Sequence, residues 1–179
     1  MPDTEAAVVI WITEGTWQAS VDAALRFVQP GAPITLLHVT SAELSDTAHG
    51  AYLGLLGRGR PDRDPGPHVA KLAAQSAAEL FGAAAARLGR PAGRIERSGA
   101  PEREVVTAVA DAALLIVARD GDRSRLGPKS LGKATRFVVD HAPCPVLVVW
   151  PEAAPAVATI PPPPPHPPDR PKPTGPPGP

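Results

Sequence analysis

The fold is decided by the stretch "ALLIVARDGDRSRLGPKSLGKATRFVVDHAPCPVLVVW", residues 113–150. Two apolar runs lie in it, at 113–118 and 145–150, and the helical pattern "KATRFVVDHA" at 133–142 separates them. Apolar residues at successive positions indicate a strand that is covered on both faces of its sheet. Because a helix joins the two runs, the stretch predicts two parallel strands with a crossover helix.

The chain before residue 113 repeats this alternation. Three further runs predict strands, the last of them weakly: "AVVIWI" (7–12), "PITLLHV" (33–39) and "GRIERS" (93–98). Strands that alternate with helices indicate an α/β protein. The sequence therefore predicts a Rossmann-like, doubly wound parallel sheet of five strands with helices on both faces.

Helical signals fall between the predicted strands. Thr16 is predicted to cap a first helix through "VDAALRFV" (21–28), and Pro101, followed by two glutamates, begins a third. The second helix ends at Gly89 and Pro91. Its apolar residues recur at helical spacing: Val69, Leu72, Ala73, Ala77, Leu80, Phe81, Ala84 and Leu88.

Composition restricts the partners and the setting. The 179 residues carry a formal net charge of 0, which supplies no long-range attraction for nucleic acid or an anionic membrane. No apolar run is long enough to span a bilayer, and the start "MPDTEAA" is acidic where a signal peptide would be basic. The single cysteine, Cys144, cannot form an internal disulfide. We expect a cytoplasmic protein without nucleic-acid or membrane partners.

A change of composition near Glu152 divides the chain. More than half of its 25 prolines follow, above all in "IPPPPPHPPDRPKPTGPPGP" (160–179). Proline has no backbone donor and fixes φ, so such a segment favours extended polyproline II over a packed core. The sequence predicts an α/β domain at 1–152 and a disordered proline-rich tail at 153–179. The tail is a solvated spacer or a docking site for a partner protein with an aromatic groove.

Two loops are candidates for a ligand site. Ligands of doubly wound sheets bind beyond the carboxyl ends of the strands, where the strand order reverses. The loops after strands one and four, at 13–18 and 119–133, are the places to inspect. "GPKSLGKAT" (127–135) in the second loop resembles a P-loop, but Ala134 lacks the hydroxyl that would hold magnesium and Gly127 lies too far from the end of strand four. A P-loop is therefore rejected.

A helix end in the second loop can still receive an anion. Gly121 and Gly132 allow close approach to the main chain, and the backbone N–H groups of Lys133, Ala134 and Thr135 lie at the positive end of the last helix. Five cations of the loop are partly offset by two acidic residues: Arg119, Arg123, Arg125, Lys129 and Lys133, with Asp120 and Asp122. The alternative is a solvated basic loop without a ligand.

Catalytic patterns are missing from the sequence. It contains no G-x-S-x-G elbow, no C-x-x-C and no His or Cys cluster with metal-ligand spacing. His141 and Cys144 precede an apolar strand and are interpreted as packing residues. We predict a protein without catalytic or metal-binding residues, although slow ATP hydrolysis stays open.

Several motifs together resemble the universal stress protein family, in its small single-domain UspA-like form. They are "TLLHV" in strand two, "GAPEREVV" at the third helix and "GKATRFVVDHAPCPVLVV" at the end of the domain. The resemblance covers about residues 8–150. It implies a five-stranded parallel sheet, a non-enzymatic role in stress response and a homodimer that forms through the last strand, Val146 to Trp150.

The resemblance also implies a nucleotide site with an altered loop. Members that hold ATP share G-x-x-G, nine residues and G-[ST]. Here Ala118 replaces the first glycine, ten residues separate Gly121 from Gly132, and Lys133 replaces the hydroxyl residue, while Thr135 matches loosely. The family's adenosine-binding aspartate corresponds here to Thr13 or Glu14. Val39 matches the residue that lines the base pocket.

Two functions follow from the resemblance. The first is a non-enzymatic stress protein that binds an adenine nucleotide, ATP, with magnesium only as a companion of the nucleotide. The second is a dimeric interaction protein of the same fold that has lost nucleotide binding.

Overall fold

The structure, a computed structural model, describes residues 6–41 and 66–162. This part of the chain forms one parallel sheet in the order β3-β2-β1-β4-β5. The predicted doubly wound sheet is therefore confirmed, and the strand order reverses between β1 and β4. The strands are β1 (Val8–Trp11), β2 (Ile34–Ser41), β3 (Gly93–Gly99), β4 (Leu114–Ala118) and β5 (Val146–Val149).

Four α-helices connect the strands within the described residues. They are α1 (Trp17–Phe27), α2 (Gly66–Leu88), α3 (Pro101–Ala108) and α4 (Lys133–His141). Gly89 follows α2 with a φ of +65°, a conformation that glycine adopts without strain, so the predicted end of that helix is correct. Thr16 precedes α1 as predicted, but its hydroxyl makes no capping bond and lies 2.7 Å from the hydroxyl of Thr13 instead.

Two apolar cores lie on opposite faces of the sheet. Ile10 and Ile116 point towards α1 and α2, whereas Val9, Leu115 and Val117 point towards α3 and α4. Alternate residues of β1 and β4 thus serve opposite cores, which explains why both strands are apolar at successive positions.

The two edge strands differ in character. The side chains of β3 are largely polar and exposed, and Arg94 and Glu96 form an ion pair of 2.7 Å on this strand. By contrast, β5 is entirely apolar and half-buried, with one neighbour, β4. The strand predicted at 145–150 is therefore apolar, as expected, and the structure places it at the edge of the sheet.

The described chain continues past the predicted domain boundary at residue 152. A short 3₁₀-helix at Val157–Thr159 contacts the loop after β4, because the N–H of Leu126 donates to the Thr159 hydroxyl at 3.0 Å. The rest of the predicted tail, from residue 163, lies outside the described residues, as do residues 42–65. Among the helices that are described, none combines the length and apolar character needed to cross a membrane.

Removal of the Ile116 side chain is expected to destabilise the domain. This residue is fully buried between β1 and β5, so Ile116→Ala should lower the free energy of unfolding by about 2–5 kcal/mol. Leu72 on α2 serves as the control, because it is 52% exposed although its spacing placed it on the apolar face. Leu72→Ala should change stability by less than about 0.5 kcal/mol. Urea denaturation measures both, and equal losses would contradict the assignment of the core.

Candidate functional site

The carboxyl ends of β1 and β4 lie side by side at the point where the strand order reverses. Val8 pairs with Leu114 and Ile10 with Ile116, so the residues that follow Trp11 and Ala118 emerge at the same edge of the sheet. This is the place where doubly wound folds bind ligands. Two features occupy the edge: a cavity towards β2 and β3, and the loop that leads from β4 to α4.

The cavity has a volume of about 530 Å³, which is within the range of small-molecule sites. It lies between the ends of β2 and β3, the beginning of α2 and the turn after β1. Its lining combines small apolar side chains with polar ones: Glu14, His38, Val39, Thr40, Ser41, Val69, Ala70, Ala73, Ala74, Ser76, Glu96, Arg97 and Ser98.

Glu14 and Val39 are the two predicted site residues that line this cavity. The Glu14 carboxylate accepts a hydrogen bond of 2.8 Å from the Ser76 hydroxyl, which ties the turn after β1 to α2. Thr13 does not line the cavity, since its hydroxyl is engaged with Thr16 in the turn. Of the two alternatives at the end of strand one, the structure therefore places Glu14 at the cavity.

His38 was not predicted to belong to a site, yet it lines the cavity. Its Nδ1 lies 3.0 Å from the backbone oxygen of Ile12, and its ring meets Phe81 edge-on at 6.1 Å between centroids. These contacts fix the imidazole between β1 and α2. A polar residue within an apolar strand was the available signal, but a single strand gives no sign of what lies next to it.

The loop after β4 folds back on itself. The N–H of Gly121 donates to the Ser130 oxygen at 3.0 Å, and the N–H of Asp122 donates to the Lys129 oxygen at 2.8 Å. A Cβ atom on Gly121 would lie 2.3 Å from the Lys129 oxygen, closer than side-chain atoms come. The loop can therefore fold back in this way only if residue 121 has no side chain.

Three of the five predicted loop cations have partners within the protein. Arg119 donates to the Ser130 hydroxyl and stacks over Trp150, with its guanidinium carbon 4.7 Å from the ring centroid. Arg123 pairs with Glu152 at 3.4 Å, and Arg125 pairs with Asp122 at 3.2 Å. Hydrogen bonds from Ser124, with a smaller effect of Arg125, hold the pKa of Asp122 below its usual range. Much of the expected positive charge is therefore already engaged.

The beginning of α4 is closed by the carboxylate of Asp120. One carboxylate oxygen accepts the N–H of Gly132 at 2.7 Å, and the other accepts the Thr135 hydroxyl at 2.9 Å. Gly132 has no Cβ atom, and one would come within 2.7 Å of this carboxylate. Gly132, which was predicted to leave room for a phosphate, therefore leaves room for the Asp120 carboxylate. The sequence indicated Asp120 only as a charge that partly offsets the loop cations.

The remaining predicted residues lie at the end of β4 and in the first turn of α4. Thr135 is buried, Ala134 packs against the core below α3 and α4, and Lys133 is exposed in the first turn of α4. Ala118 is buried opposite Val149 in the pairing of β4 with β5. The predicted residues thus fall into three places: Glu14 and Val39 line the cavity, Thr13 lies in the turn after β1, and the others lie between the end of β4 and the first turn of α4.

His141 and Cys144 are engaged in packing. The His141 ring stacks on Phe137 with 4.0 Å between centroids, and its Nδ1 lies 2.8 Å from the Phe137 oxygen. Burial raises the pKa of the Cys144 thiol, which disfavours the reactive thiolate. Across residues 6–41 and 66–162 no three His, Cys, Asp or Glu side chains are grouped to hold a metal ion.

A doubly wound sheet of five parallel strands, with a ligand-sized cavity at the carboxyl ends of its strands, places the chain in the class of Rossmann-like α/β proteins. Within that class, the model of the universal stress protein family matches residues 16–149, and the chain belongs to this family. The resemblance found in the sequence is therefore confirmed. Comparison with curated protein sequences gives no match.

Solved structures support the fold. Hypothetical protein MJ0577 is 19% identical with a TM-score of 0.58, and the match covers 84% of this chain and 100% of that one. Hypothetical protein PH0823 is 16% identical with a TM-score of 0.57, over 82% and 97% of the two chains. The universal stress protein UspA from Lactobacillus plantarum is 21% identical with a TM-score of 0.52, over 82% and 99%. At these identities the likeness concerns the fold.

Substitution of Gly121 is expected to disturb the returning loop. The added methyl group of Gly121→Ala would meet the Lys129 oxygen, so the free energy of unfolding should fall by about 1–3 kcal/mol. Gly31→Ala is the matched control, because a methyl group there meets no atom within 4 Å, and it should change stability by less than about 0.5 kcal/mol. Thermal unfolding followed by circular dichroism compares the two, and equal melting temperatures would refute the close return of the loop.

Proposed function

We propose that this universal stress protein is a non-enzymatic binding protein for an adenine-containing ligand, whose base and ribose occupy the cavity at the carboxyl ends of β2 and β3. The cavity of about 530 Å³ is the observation that carries the proposal. It lies at the carboxyl ends of the strands, which is where this fold class binds ligands.

The lining of the cavity suits an adenosine group. Val39, Ala70 and Ala73 offer apolar surface for the faces of a planar base. The Glu14 carboxylate is an acceptor for ribose hydroxyls, and it is held in place by Ser76. Thr40 and Ser41 add polar groups at the end of β2. A few polar groups within a mainly apolar lining are the usual composition of a small-molecule site.

We propose no catalytic step at this site. Glu14 accepts its hydrogen bond directly from the Ser76 hydroxyl, and the His38 ring is fixed by Ile12 and Phe81, so the described residues do not join a serine, a histidine and a carboxylate in sequence at this site. Regulation by occupancy of the site fits this arrangement better than turnover. Release of inorganic phosphate from ATP at a rate above the uncatalysed one would overturn the non-enzymatic part of the proposal.

The second candidate function is a ligand-free dimeric interaction protein. The closed loop at α4 favours it, because the Asp120 carboxylate takes hydrogen-bond donors that a ligand could have used. A homodimer through Val146 to Trp150 belongs to both proposals, and the proline-rich tail would offer a second contact to a partner protein. The net charge of 0 gives neither proposal a reason to include nucleic acid or a membrane.

A bulky side chain in the cavity should prevent ligand binding. Ala73→Phe places a ring in the space between α2 and β2, so adenosine affinity should fall by about tenfold or more. Ala86→Phe on the exposed face of the same helix is the control and should keep the affinity of the wild-type protein. Calorimetric titration with adenosine, AMP and ATP measures the effect. If the wild-type protein binds none of the three at millimolar concentration, the ligand-free alternative replaces the adenine-binding proposal.

A charge on the apolar edge strand should separate the proposed dimer. Val148 is half-buried on β5, and edge strands with charged residues resist pairing with another chain, so Val148→Lys should be monomeric. Val148→Thr keeps a β-branched side chain without charge and should remain dimeric. Sedimentation equilibrium gives the mass of each variant, with circular dichroism to establish that each is folded. A folded Val148→Lys protein that is still dimeric would place the interface elsewhere.

A further inference from the structure

We infer that Asp120 fills the anion-accepting end of the proposed adenine site from within the chain, so that the site takes an uncharged adenine nucleoside in preference to a nucleotide. The inference rests on the proposed function, because it concerns the ligand of the same site. Three observations support it: the bonds of the Asp120 carboxylate, the engagement of the loop cations and the charges around the cavity.

The carboxylate of Asp120 stands where a phosphate group would find its donors. The reversal of strand order between β1 and β4 directs a ligand towards the loop after β4, and this loop leads into the positive end of α4. The N–H of Gly132 and the hydroxyl of Thr135 are donors at that end, and Asp120 accepts hydrogen bonds from both, at 2.7 and 2.9 Å. A phosphate would have to displace this carboxylate or lie against a like charge.

The loop holds Asp120 in this position from both sides. One residue later, the Gly121 N–H is bonded to Ser130, and at the other end Gly132 leaves space for the carboxylate that any Cβ atom would fill. The two oxygens of Asp120 therefore have separate, simultaneous partners. A carboxylate that accepts two hydrogen bonds is retained more firmly than a freely rotating one.

The cations that could offset a triphosphate are mostly directed elsewhere. Arg119 is engaged with Ser130 and Trp150, and Arg123 and Arg125 have carboxylate partners. Lys129 and Lys133 are exposed, as Asp120 is, so water and salt screen all three charges, but the lysines lack the fixed position that two hydrogen bonds give to Asp120. Two exposed lysines offset little of the repulsion between a polyphosphate and the Asp120 carboxylate.

The charges around the cavity point in the same direction. Its lining contains two carboxylates, Glu14 and Glu96, and one guanidinium group, Arg97. Ser76 donates a hydrogen bond to Glu14, and Arg94 forms an ion pair with Glu96. An uncharged nucleoside avoids repulsion by Glu14, whose partner is neutral, and by Asp120, and its ribose hydroxyls can donate to Glu14.

The test compares adenosine, AMP and ATP in calorimetric titrations of the wild-type protein and of Asp120→Asn. The amide of asparagine keeps an oxygen acceptor for the Gly132 N–H and removes the charge. We expect the wild-type protein to bind adenosine about tenfold more tightly than ATP, and Asp120→Asn to reduce this ratio about tenfold through tighter binding of ATP. AMP should fall between the two ligands.

Asp111→Asn is the control. It removes the same charge from an exposed residue that precedes β4, at the opposite end of that strand from the loop. The ratio of adenosine to ATP affinity should stay within about twofold of the wild-type value. Asp120→Ser provides a second uncharged variant in case the asparagine protein does not fold.

The outcomes separate this inference from the proposed function. Adenosine binding that Ala73→Phe abolishes supports the site itself. If the wild-type protein binds ATP as tightly as adenosine, or if neither uncharged variant at position 120 changes the ratio, the inference is wrong while the site remains. If no adenine compound binds to the wild-type protein, the proposed function fails and this inference fails with it.

Discussion

The pairing of β1 with β4 places every other part of the candidate site. Val8 lies opposite Leu114 and Ile10 opposite Ile116, and both strands contribute alternate side chains to cores on the two faces of the sheet. With these strands fixed, β2 and β3 extend the sheet in one direction and β5 in the other. The turn after β1 and the loop after β4 must then emerge next to each other. The site is a consequence of this topology before any of its side chains is considered.

Closure of the loop after β4 depends on two glycines that leave space for neighbouring groups. Gly121 permits the bond between its N–H and Ser130, and Gly132 permits the approach of Asp120 to the start of α4. The same two glycines would also allow a phosphate to approach the main chain, which is why a glycine pattern alone does not reveal the ligand. What distinguishes the two uses is the carboxylate between them. One acidic side chain can occupy the hydrogen-bond donors that would otherwise bind an anion.

The sequence predicted the architecture well because the apolar pattern of each buried strand is visible in the strand itself. The runs at β1, β4 and β5 are apolar at successive positions, as strands covered on both faces must be. It predicted the site less well because the decisive contacts join distant positions. Asp120 meets Thr135 fifteen residues further on, and Glu14 meets Ser76 across the interface of the β1 turn with α2. Spacing along the chain could not decide whether Thr13 or Glu14 lines the cavity, because that depends on which of the two side chains forms a hydrogen bond within the turn.

The site loop is also joined to the edge of the sheet and to the chain beyond it. Arg119 stacks on Trp150, directly after β5, Arg123 pairs with Glu152, and the N–H of Leu126 is bonded to Thr159. These three contacts join the loop to the end of β5 and to the segment that follows it. A protein that covers β5 or binds the tail would meet residues that also hold this loop in shape. Arg119, which directly follows β4, therefore joins the loop to the end of the last strand, because it contacts both Ser130 within the loop and Trp150 after β5.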